Sequence, residues 1–291
     1  MLNSQNKTGL RVIEGGLRRM RIGISLTGLM LAGTAITAVP VGANDLNGVN
    51  ATVGALPDAV YTNTNGTATL SVNPGALGII YGGRLTDGAS GGGAGVLALS
   101  KLGANTLTLT GTLNNFTGNT NVGNGTLAAG AAFAFSANSQ LNITGTGSVN
   151  LAGFNQMIKG LSGNTSNGVT SASAATLTSN TSASTSYAGT ISGAIRFVKQ
   201  GAGIQTLGGN NSYSGGTELQ GGGFIYNNGN AFGSGNITVN GLSTLSPGSA
   251  GHTVANNIVL NQPLFVNVGG FASGLTGEIS GGSSLNKNGN A

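Results

Sequence analysis

The feature that most constrains this chain is an internal repeat made of short alternating runs. Residues 101–111 (KLGANTLTLTG) align without gaps on residues 199–209 (KQGAGIQTLGG). Downstream, the stretch FTGNTNVGNGTL from Phe116 aligns with YSGGTELQGGGF from Tyr213. Self-similarity at this spacing indicates a solenoid or another repeat array.

A third copy of the repeat begins near the end of the sequence. Residues 275–291 match residues 187–203 at a constant offset of 88 positions. We therefore predict two full units, near 101–198 and 199–286, and a third that is truncated. The positions expected to define the repeat are Lys101, Gly103, Leu109, Phe116, Lys199, Gly201, Leu207, Tyr213, Lys287 and Gly289.

The pattern inside each unit indicates strands. Thr106 to Leu109 alternate polar and apolar residues, which is the period of a strand with one buried face. Gly, Asn and Ser bound such runs and take turn conformations at low cost, and no segment after residue 43 shows a helical stripe. The sequence predicts an all-β chain folded as a parallel β-helix. We expect about ten coils of roughly 20–25 residues and a rod on the order of 50 Å long.

The apolar members of the alternating runs are expected to face the interior. Gln205 falls opposite Leu107 in the alignment, so we expect a buried polar partner for it or a rotated strand face. The other predicted inward residues are Leu109, Phe116, Val122 and Leu127 in the first unit and Leu207, Tyr213, Leu219 and Phe224 in the second.

Residues 1–43 have the order of a secretory signal. A basic stretch ends at Arg21, an uncharged segment runs from Ile22 to Val39, and small residues follow Pro40. This arrangement predicts an extended signal peptide cleaved between Ala43 and Asn44. A membrane-spanning helix is the alternative, although an 18-residue segment containing several Gly and Thr is marginal for crossing a bilayer.

Charge and composition narrow the class of protein. Only 6% of the residues are charged, 55 are Gly and none is Cys. The net charge of +5 comes mainly from the leader, because the rest of the chain carries six bases and five acids. Scattered bases do not neutralise a phosphate backbone, so we predict no nucleic-acid partner. Low charge with 38% hydrophobic residues also argues against disorder.

The sequence assembles no catalytic group. His252 is the one histidine, and without a nucleophile known to lie beside it we expect an exposed loop residue. The spacing of residues 88–92 fits a nucleophile elbow but lacks the strand-to-helix context, and residues 201–203 lack the helix of a dinucleotide loop. We predict no catalytic residues, no cofactor and no metal. The acidic residues after the leader are far apart in sequence: Asp45, Asp58, Asp87, Glu218 and Glu278.

The recurring lysines allow two interpretations. Lys101, Lys199 and Lys287 occupy one position of the unit. They could form a basic line along the rod, or they could be solvated corner residues that discourage edge pairing. We favour the solvated corner. Phe116 and Tyr213 are expected to be core residues and not ligand platforms.

The units resemble the passenger-associated transport repeat, or autotransporter-associated β-strand repeat, of Gram-negative autotransporters. The resemblance is carried by GTISG at 189–193, FVKQGAG at 197–203, TLTLTG at 106–111, YSGGT at 213–217 and GTL at 125–127. It covers roughly residues 85–291, while residues 44–84 are expected to be N-terminal coils or a cap.

The resemblance implies a right-handed β-helical passenger that is exported through the inner membrane to the outer membrane, the cell surface or the medium. Its implied partners are the export machinery and an outer-membrane translocator barrel, which we do not find in this sequence. The expected role is a non-catalytic stalk with adhesin-like function, in contact with a host surface or with like chains. The alternatives are a carbohydrate-active enzyme on a β-helix scaffold and a self-associating biofilm protein. Because the sequence stops inside a repeat, a fragment and a truncated gene product both stay open.

Overall fold

The computed structural model describes residues 44–88 and 95–289, and every regular element in these ranges is a β-strand. No helix long and apolar enough to cross a bilayer occurs in these ranges. The predicted leader, including Ala43, lies outside the described residues. Asn44, on the other side of the predicted cleavage site, opens the first strand. The signal peptide and the domain boundaries stay predictions.

Twenty-eight strands follow one another along the described residues. The first are Asn44–Asp45 (β1), Ala51–Val53 (β2), Val60–Asn63 (β3), Thr67–Val72 (β4), Ile79–Tyr81 (β5) and Arg84–Asp87 (β6). The next are Val96–Lys101 (β7), Thr106–Leu109 (β8), Thr120–Val122 (β9), Thr126–Ala129 (β10), Gln140–Ile143 (β11), Ser148–Asn150 (β12), Gln156–Ile158 (β13) and Gly160–Gly163 (β14). They are followed by Gly168–Asn180 (β15), Thr185–Tyr187 (β16), Thr190–Gln200 (β17), Ile204–Leu207 (β18), Thr217–Leu219 (β19), Gly222–Tyr226 (β20) and Ile237–Val239 (β21). The last are Ser243–Pro247 (β22), Thr253–Val254 (β23), Ile258–Leu260 (β24), Leu264–Asn267 (β25), Gly274–Leu275 (β26), Ile279–Gly281 (β27) and Leu285–Asn288 (β28).

The strands stack in parallel into two long sheets. One has 12 strands in the order β2-β4-β7-β9-β11-β14-β16-β18-β20-β22-β25-β28, and the other has 11 strands running from β27 to β5. A three-stranded sheet (β1-β3-β6) and a two-stranded sheet (β23-β26) complete the set. Twelve parallel strands at ~4.8 Å spacing span about 50 Å. The predicted all-β parallel β-helix is confirmed, with slightly more coils than expected.

Each coil has three sides. Strand β15 pairs with β12 along its first residues and with β13 along its last, and its register with β17 shifts between Ser171 and Ala175. The 11-stranded sheet therefore bends around a corner and forms two sides of the rod. We call the side containing β8, β10 and β12 the first side, and the side containing β13, β19 and β21 the second. The 12-stranded sheet is the third side.

Columns of inward side chains form one continuous core. On the first side the column runs through Leu107, Leu127, Val149, Val169 and Ile191, each paired in register with the next. All five are fully buried. Burying apolar surface contributes about 25 cal/mol per Å², so each coil stabilises the next by covering its apolar side chains. The inward residues predicted from the sequence are all buried.

The polar residue predicted to disturb this core is fully accommodated. Gln205 lies on the third side between Thr185 and Phe224, and it is fully buried. Its Oε1 accepts hydrogen bonds from the Ser179 and Thr185 hydroxyls, at 3.0 Å each. Its Nε2 donates to the Leu161 carbonyl oxygen at 3.0 Å. A buried amide is tolerated only when it is hydrogen-bonded. The structure therefore shows the first of the two expected outcomes, a buried polar partner, and not a rotated strand face.

Candidate functional site

The repeated lysines are buried at the corners of the rod. Lys101 lies in an inward column between Val72 and Val122, and Lys199 lies inward between Ser179 and Leu219. Both lysine side chains are fully buried. The interpretation of these two residues as solvated corner positions was therefore wrong. Their stems follow the apolar interior while the ammonium groups reach the backbone of the turn.

Each buried ammonium group is surrounded by carbonyl oxygens from two coils. Lys101 Nζ donates to the carbonyl oxygens of Leu102 at 2.7 Å, Gly103 at 2.8 Å and Asn124 at 2.9 Å. The first two belong to its own turn and the third to the next coil. The three donors of the ammonium group are thus all used, and the lysine joins successive corners.

The second copy repeats this arrangement. Lys199 Nζ donates to the carbonyl oxygens of Gln200 at 2.7 Å, Gly201 at 2.8 Å and Gly221 at 3.3 Å. Burial lowers the pKa of Lys199 to about 8 and also lowers the pKa of Lys101. Lys287, in the last described coil, donates to the carbonyl oxygen of Gly289 at 3.0 Å and is exposed.

A glycine two residues after each lysine closes the corner. Gly103 and Gly201 have φ angles of +68° and +75°, which side chains with a Cβ rarely adopt. A Cβ on Gly201 would also lie 2.4 Å from the carbonyl oxygen of Thr181 in the preceding coil. The spacing Lys-x-Gly therefore has a physical cause, since the left-handed glycine turns its carbonyl towards the ammonium group.

The repeated lysines do not form a line along the rod. Lys101 ends β7 and Lys287 lies in β28, both on the third side. Lys199 lies near the end of β17, which pairs with β19 on the second side. The interpretation as a basic line is therefore wrong as well. Equivalent residues 98 positions apart, such as Lys101 and Lys199, therefore lie on neighbouring sides of the rod and not above one another.

Two buried asparagines, which the sequence analysis did not identify, each bond to the backbone of the preceding and the following coil, and we call them bracketing asparagines. Asn114 Oδ1 accepts from Leu85 N at 2.6 Å, and its Nδ2 donates to the Ala134 carbonyl oxygen at 2.7 Å. Asn211 makes the same pair of bonds, from Ile191 N at 2.7 Å and to Ala231 O at 2.8 Å. Both precede the repeat aromatic by two residues, a signal that was present in the alignment.

The repeat aromatics are core residues, as predicted. Phe116 and Tyr213 are fully buried. Tyr213 lies in a cluster of rings around Phe197, with a centroid distance of 6.4 Å, and its hydroxyl lies 2.6 Å from Thr217 Oγ1. Burial raises the pKa of Tyr213 above its usual value. These rings are covered on both sides and offer no face to a ligand.

Arg196 and Glu218 on the outer surface satisfy each other. Arg196 pairs with Glu218 on the second side. The other carboxylate oxygen of Glu218 accepts from Gln220 at 2.6 Å and from Asn240 at 2.7 Å. A shallow cavity of about 230 Å³ beside them is lined by glycines, threonines and Asn236. One carboxylate held by an arginine and two amides is a structural ion pair and offers no general base.

His252 and Asp87 lie in separate parts of the described solenoid. His252 Nε2 lies 2.9 Å from the Ser249 hydroxyl, in an exposed turn. Asp87 accepts from Leu97 N at 2.8 Å and from Thr117 N at 3.0 Å. Within residues 44–88 and 95–289, no three His, Cys, Asp or Glu side chains group as metal ligands would. Ser90, of the elbow-like spacing, lies outside the described residues.

Known proteins share the repeats described here. Residues 99–129 and 197–223 match the family model named Passenger-associated-transport-repeat. The chain contains passenger-associated transport repeats. Each matched segment contains one buried lysine, its glycine corner, one bracketing asparagine and the buried repeat aromatic, so the transport repeat coincides with the bonded corners of the solenoid.

A curated relative extends the likeness beyond the repeats. The chain is 36% identical over 167 residues to a protein of Brucella suis biovar 1 (strain 1330) that is named adhesin BmaC autotransporter. The alignment covers 56% of this chain and 5% of that relative. The chain therefore spans a small part of the relative's length. No solved structure matches the chain significantly. The repeats and the relative both support an autotransporter passenger.

Proposed function

We propose that this chain is a non-catalytic passenger segment that acts as a surface-exposed stalk with adhesin-like function. The observation that carries the proposal is the unbroken stacking of twelve parallel strands on the third side of the solenoid, with apolar or hydrogen-bonded side chains inside. Such a rod is stabilised by contacts between neighbouring coils. It can extend a surface away from an anchor without a catalytic centre.

The outer surface supports a role in contact. Amide and hydroxyl side chains of successive coils bond to one another, as Asn142 does to Asn121 at 3.1 Å and Gln140 to Ser162 at 2.9 Å. On the second side Arg196 and Glu218 form an ion pair, so their charges offset each other at the surface. Neutral polar surfaces of this kind suit repeated weak contacts, which gain strength when many copies engage together.

The export route is part of the same proposal. The predicted leader and the similarity to an autotransporter adhesin favour passage through the inner membrane and an outer-membrane translocator as partner. We place the chain at the outer membrane, at the cell surface or in the medium. Fractionation of cells that produce the natural protein, with protease added to intact cells, tests this location. Recovery of the chain only from the cytoplasm would contradict it.

Adhesion is tested with beads that carry the purified full chain. We expect folded chains to hold beads on a layer of host cells under flow, and heat-unfolded chains on matched beads to lose this retention. Equal retention of folded and unfolded beads would refute an adhesin-like role. Release of reducing ends from polysaccharides incubated with the same preparation would instead favour the carbohydrate-active enzyme.

Self-association is a second candidate function, favoured by the amide ladders. An Asn on one rod could exchange its intramolecular bonds for equivalent bonds to a second rod. Sedimentation of the full chain over a range of concentrations tests this candidate. A single species of monomer mass at every concentration would exclude self-association and leave the adhesin-like role intact.

A further inference from the structure

One corner of the rod carries exposed apolar side chains on three successive coils. Leu113, Phe133 and Phe154 lie between the first and second sides, and they are 69%, 55% and 38% exposed. Their turns adjoin, because the Asn114 side chain donates to Ala134 O at 2.7 Å and Phe133 N donates to Asn155 O at 2.8 Å. We call these three side chains the apolar corner.

The backbone at this corner is held in an unfavourable conformation. Phe133 has a φ angle of +56° and Ala152, two residues before Phe154, has +50°. Left-handed backbone is uncommon for bulky residues, and such outliers cluster at functional sites. Glycine would suit these turns better, and burial does not account for an exposed phenylalanine ring. Neither backbone preference nor core packing explains Phe133.

A neutral groove begins in the turn that holds Phe154, since Ala152, two residues before that ring, lines it. Its volume is about 460 Å³, within the range of small-ligand sites. It is lined by Asn150, Ala152, Thr170, Ser171, Ala172, Ser173, Ser192 and Gly193, so no charged residue faces it. Asn150 uses its Oδ1 to accept from Ala152 N at 2.8 Å. Ser171 uses its hydroxyl inside the fold, accepting from Gly153 N at 3.0 Å and donating to Ser173 O at 2.6 Å. The hydroxyl of the exposed Ser173 can both donate and accept hydrogen bonds.

From these observations we infer that the apolar corner and the neutral groove form a binding site for an extended, uncharged glycan. The flat C–H face of a sugar ring packs on an aromatic ring, while its hydroxyls exchange hydrogen bonds with serine, threonine and asparagine. The coils repeat every ~4.8 Å, close to the length of one sugar unit in an extended chain. Successive sugars can therefore meet equivalent groups on successive coils.

Two other occupants fit the site less well. An anionic partner would find no basic residue among the groove-lining side chains. A protein partner, including a second copy, needs about 800 Å² on each side, more than three side chains and a narrow groove provide. The inference rests on the proposed adhesin-like function and names the ligand class. It is tested with the isolated protein, so that its failure can be distinguished from failure of cell adhesion.

The experiment measures binding of the full chain to neutral oligosaccharides by saturation-transfer NMR and calorimetry. The probes are cellohexaose, maltohexaose and chitohexaose, with heparin as an anionic comparison. We expect at least one neutral hexasaccharide to bind and heparin not to bind. Binding of heparin alone, or of no neutral probe, would overturn the inference, whatever the outcome of the bead assay.

A variant that keeps the fold makes the test specific. Phe133→Gly removes the ring and relieves the left-handed backbone, so the variant should be at least as stable as the parent. We expect it to weaken binding of the hexasaccharide about tenfold or more. Leu242→Ala, at an exposed position outside the corner and the groove (64%), is the matched control and should bind unchanged. Equal affinity of Phe133→Gly and the parent, or a Phe133→Gly effect only on self-association, would refute the site.

Discussion

Lys199 Nζ lies 2.8 Å from the carbonyl oxygen of Gly201, the left-handed glycine two residues further along the chain. The same pair recurs as Lys101 and Gly103, also at 2.8 Å. A fully buried ammonium group is costly unless its donors are satisfied. Here the donors hold together a turn that would otherwise leave carbonyl oxygens without partners in the interior.

Replacing Lys199 by Met should destabilise the solenoid by about 2–3 kcal/mol. The substitution keeps most of the apolar stem but leaves three carbonyl oxygens without their donor. Lys287→Met is the matched control, because Lys287 is exposed and bonds to one carbonyl oxygen. Urea unfolding followed by circular dichroism compares them. Equal midpoints for the two variants would show that the buried lysine does not anchor the corner.

The lysine also predicts a rise of stability at moderately alkaline pH. Burial lowers the pKa of Lys199 to about 8, whereas an unfolded chain keeps this proton until about pH 10.4. Between these values the unfolded state binds more protons, so the free energy of unfolding rises with pH. The slope for one group is at most about 1.4 kcal/mol per pH unit. Urea midpoints between pH 7 and 9.5 should increase in the parent and rise less in Lys199→Met. A flat profile in the parent would contradict this assignment.

Above pH 10 the buried tyrosines reverse the trend. Burial raises the pKa of Tyr81, Tyr187 and Tyr213. Their unfolded pKa is about 10, so above that pH the unfolded state loses protons that the folded state retains. The contribution of these tyrosines to the free energy of unfolding is complete below pH 10. Above that pH it declines by up to about 1.4 kcal/mol per pH unit for each tyrosine.

Tyr187→Phe isolates one of these groups. Its hydroxyl donates to Thr190 O at 3.2 Å, so the loss at pH 7 should be about 1 kcal/mol. The decline between pH 10 and 11.5 should be shallower than in the parent, as measured by unfolding midpoints. A decline of the same steepness would mean that this tyrosine does not cause the alkaline loss.

Two constraints require glycine at the lysine corner: the left-handed backbone, and the lack of room for a Cβ beside the preceding coil. Gly201→Ala places a Cβ 2.4 Å from Thr181 O at a φ of +75°, and should cost more than about 3 kcal/mol. Gly66→Ala is the control for backbone strain alone, because its φ is +55° and its Cβ meets nothing within 4 Å. We expect that control to lose about 1 kcal/mol. The close approach of Gly201 to Thr181 O predicts the highest melting temperature for the parent, a lower one for Gly66→Ala and the lowest for Gly201→Ala. A lower melting temperature for Gly66→Ala than for Gly201→Ala would contradict it.

The bracketing asparagines give a further matched pair. Asn211→Ala removes one acceptor and one donor that join three coils, and should cost about 2 kcal/mol. Its neighbour Asn210 is exposed and accepts one surface bond from Asn230. Asn210→Ala should change stability by less than about 0.5 kcal/mol. Chemical denaturation separates the two, and similar losses would refute the role of Asn211 as a bracket.

The sequence was sufficient to predict the class of fold because the alternation is local. Thr106 to Leu109 form a strand whose leucines are buried, as the period of two requires. The depth of Lys199 could not be read in this way, since a lysine at a turn is ordinarily solvated. Its burial depends in part on the carbonyl oxygen of Gly221 in the next coil, and a local pattern does not contain that contact.

The outward surface was the least predictable part. Phe133 lies among small residues in the sequence, and nothing there indicates a left-handed backbone or exposure. Leu113, Phe133 and Phe154 share one corner because coils of nearly equal length bring turns that are distant in sequence to the same corner. Similarly, the second unit was predicted as an equivalent copy of the first, but its corresponding positions, such as Lys199 for Lys101, lie on a different side of the rod.

The rotation between copies has a consequence for the directions in which equivalent residues face. Lys101 and Lys287 lie on one sheet, nine strand positions apart, while Lys199 occupies a different edge of the prism. The Lys-x-Gly corner thus closes the interior on the third side at Lys101 and on the second side at Lys199. A separation between copies that is not a whole number of coils therefore makes equivalent residues face different directions around the axis.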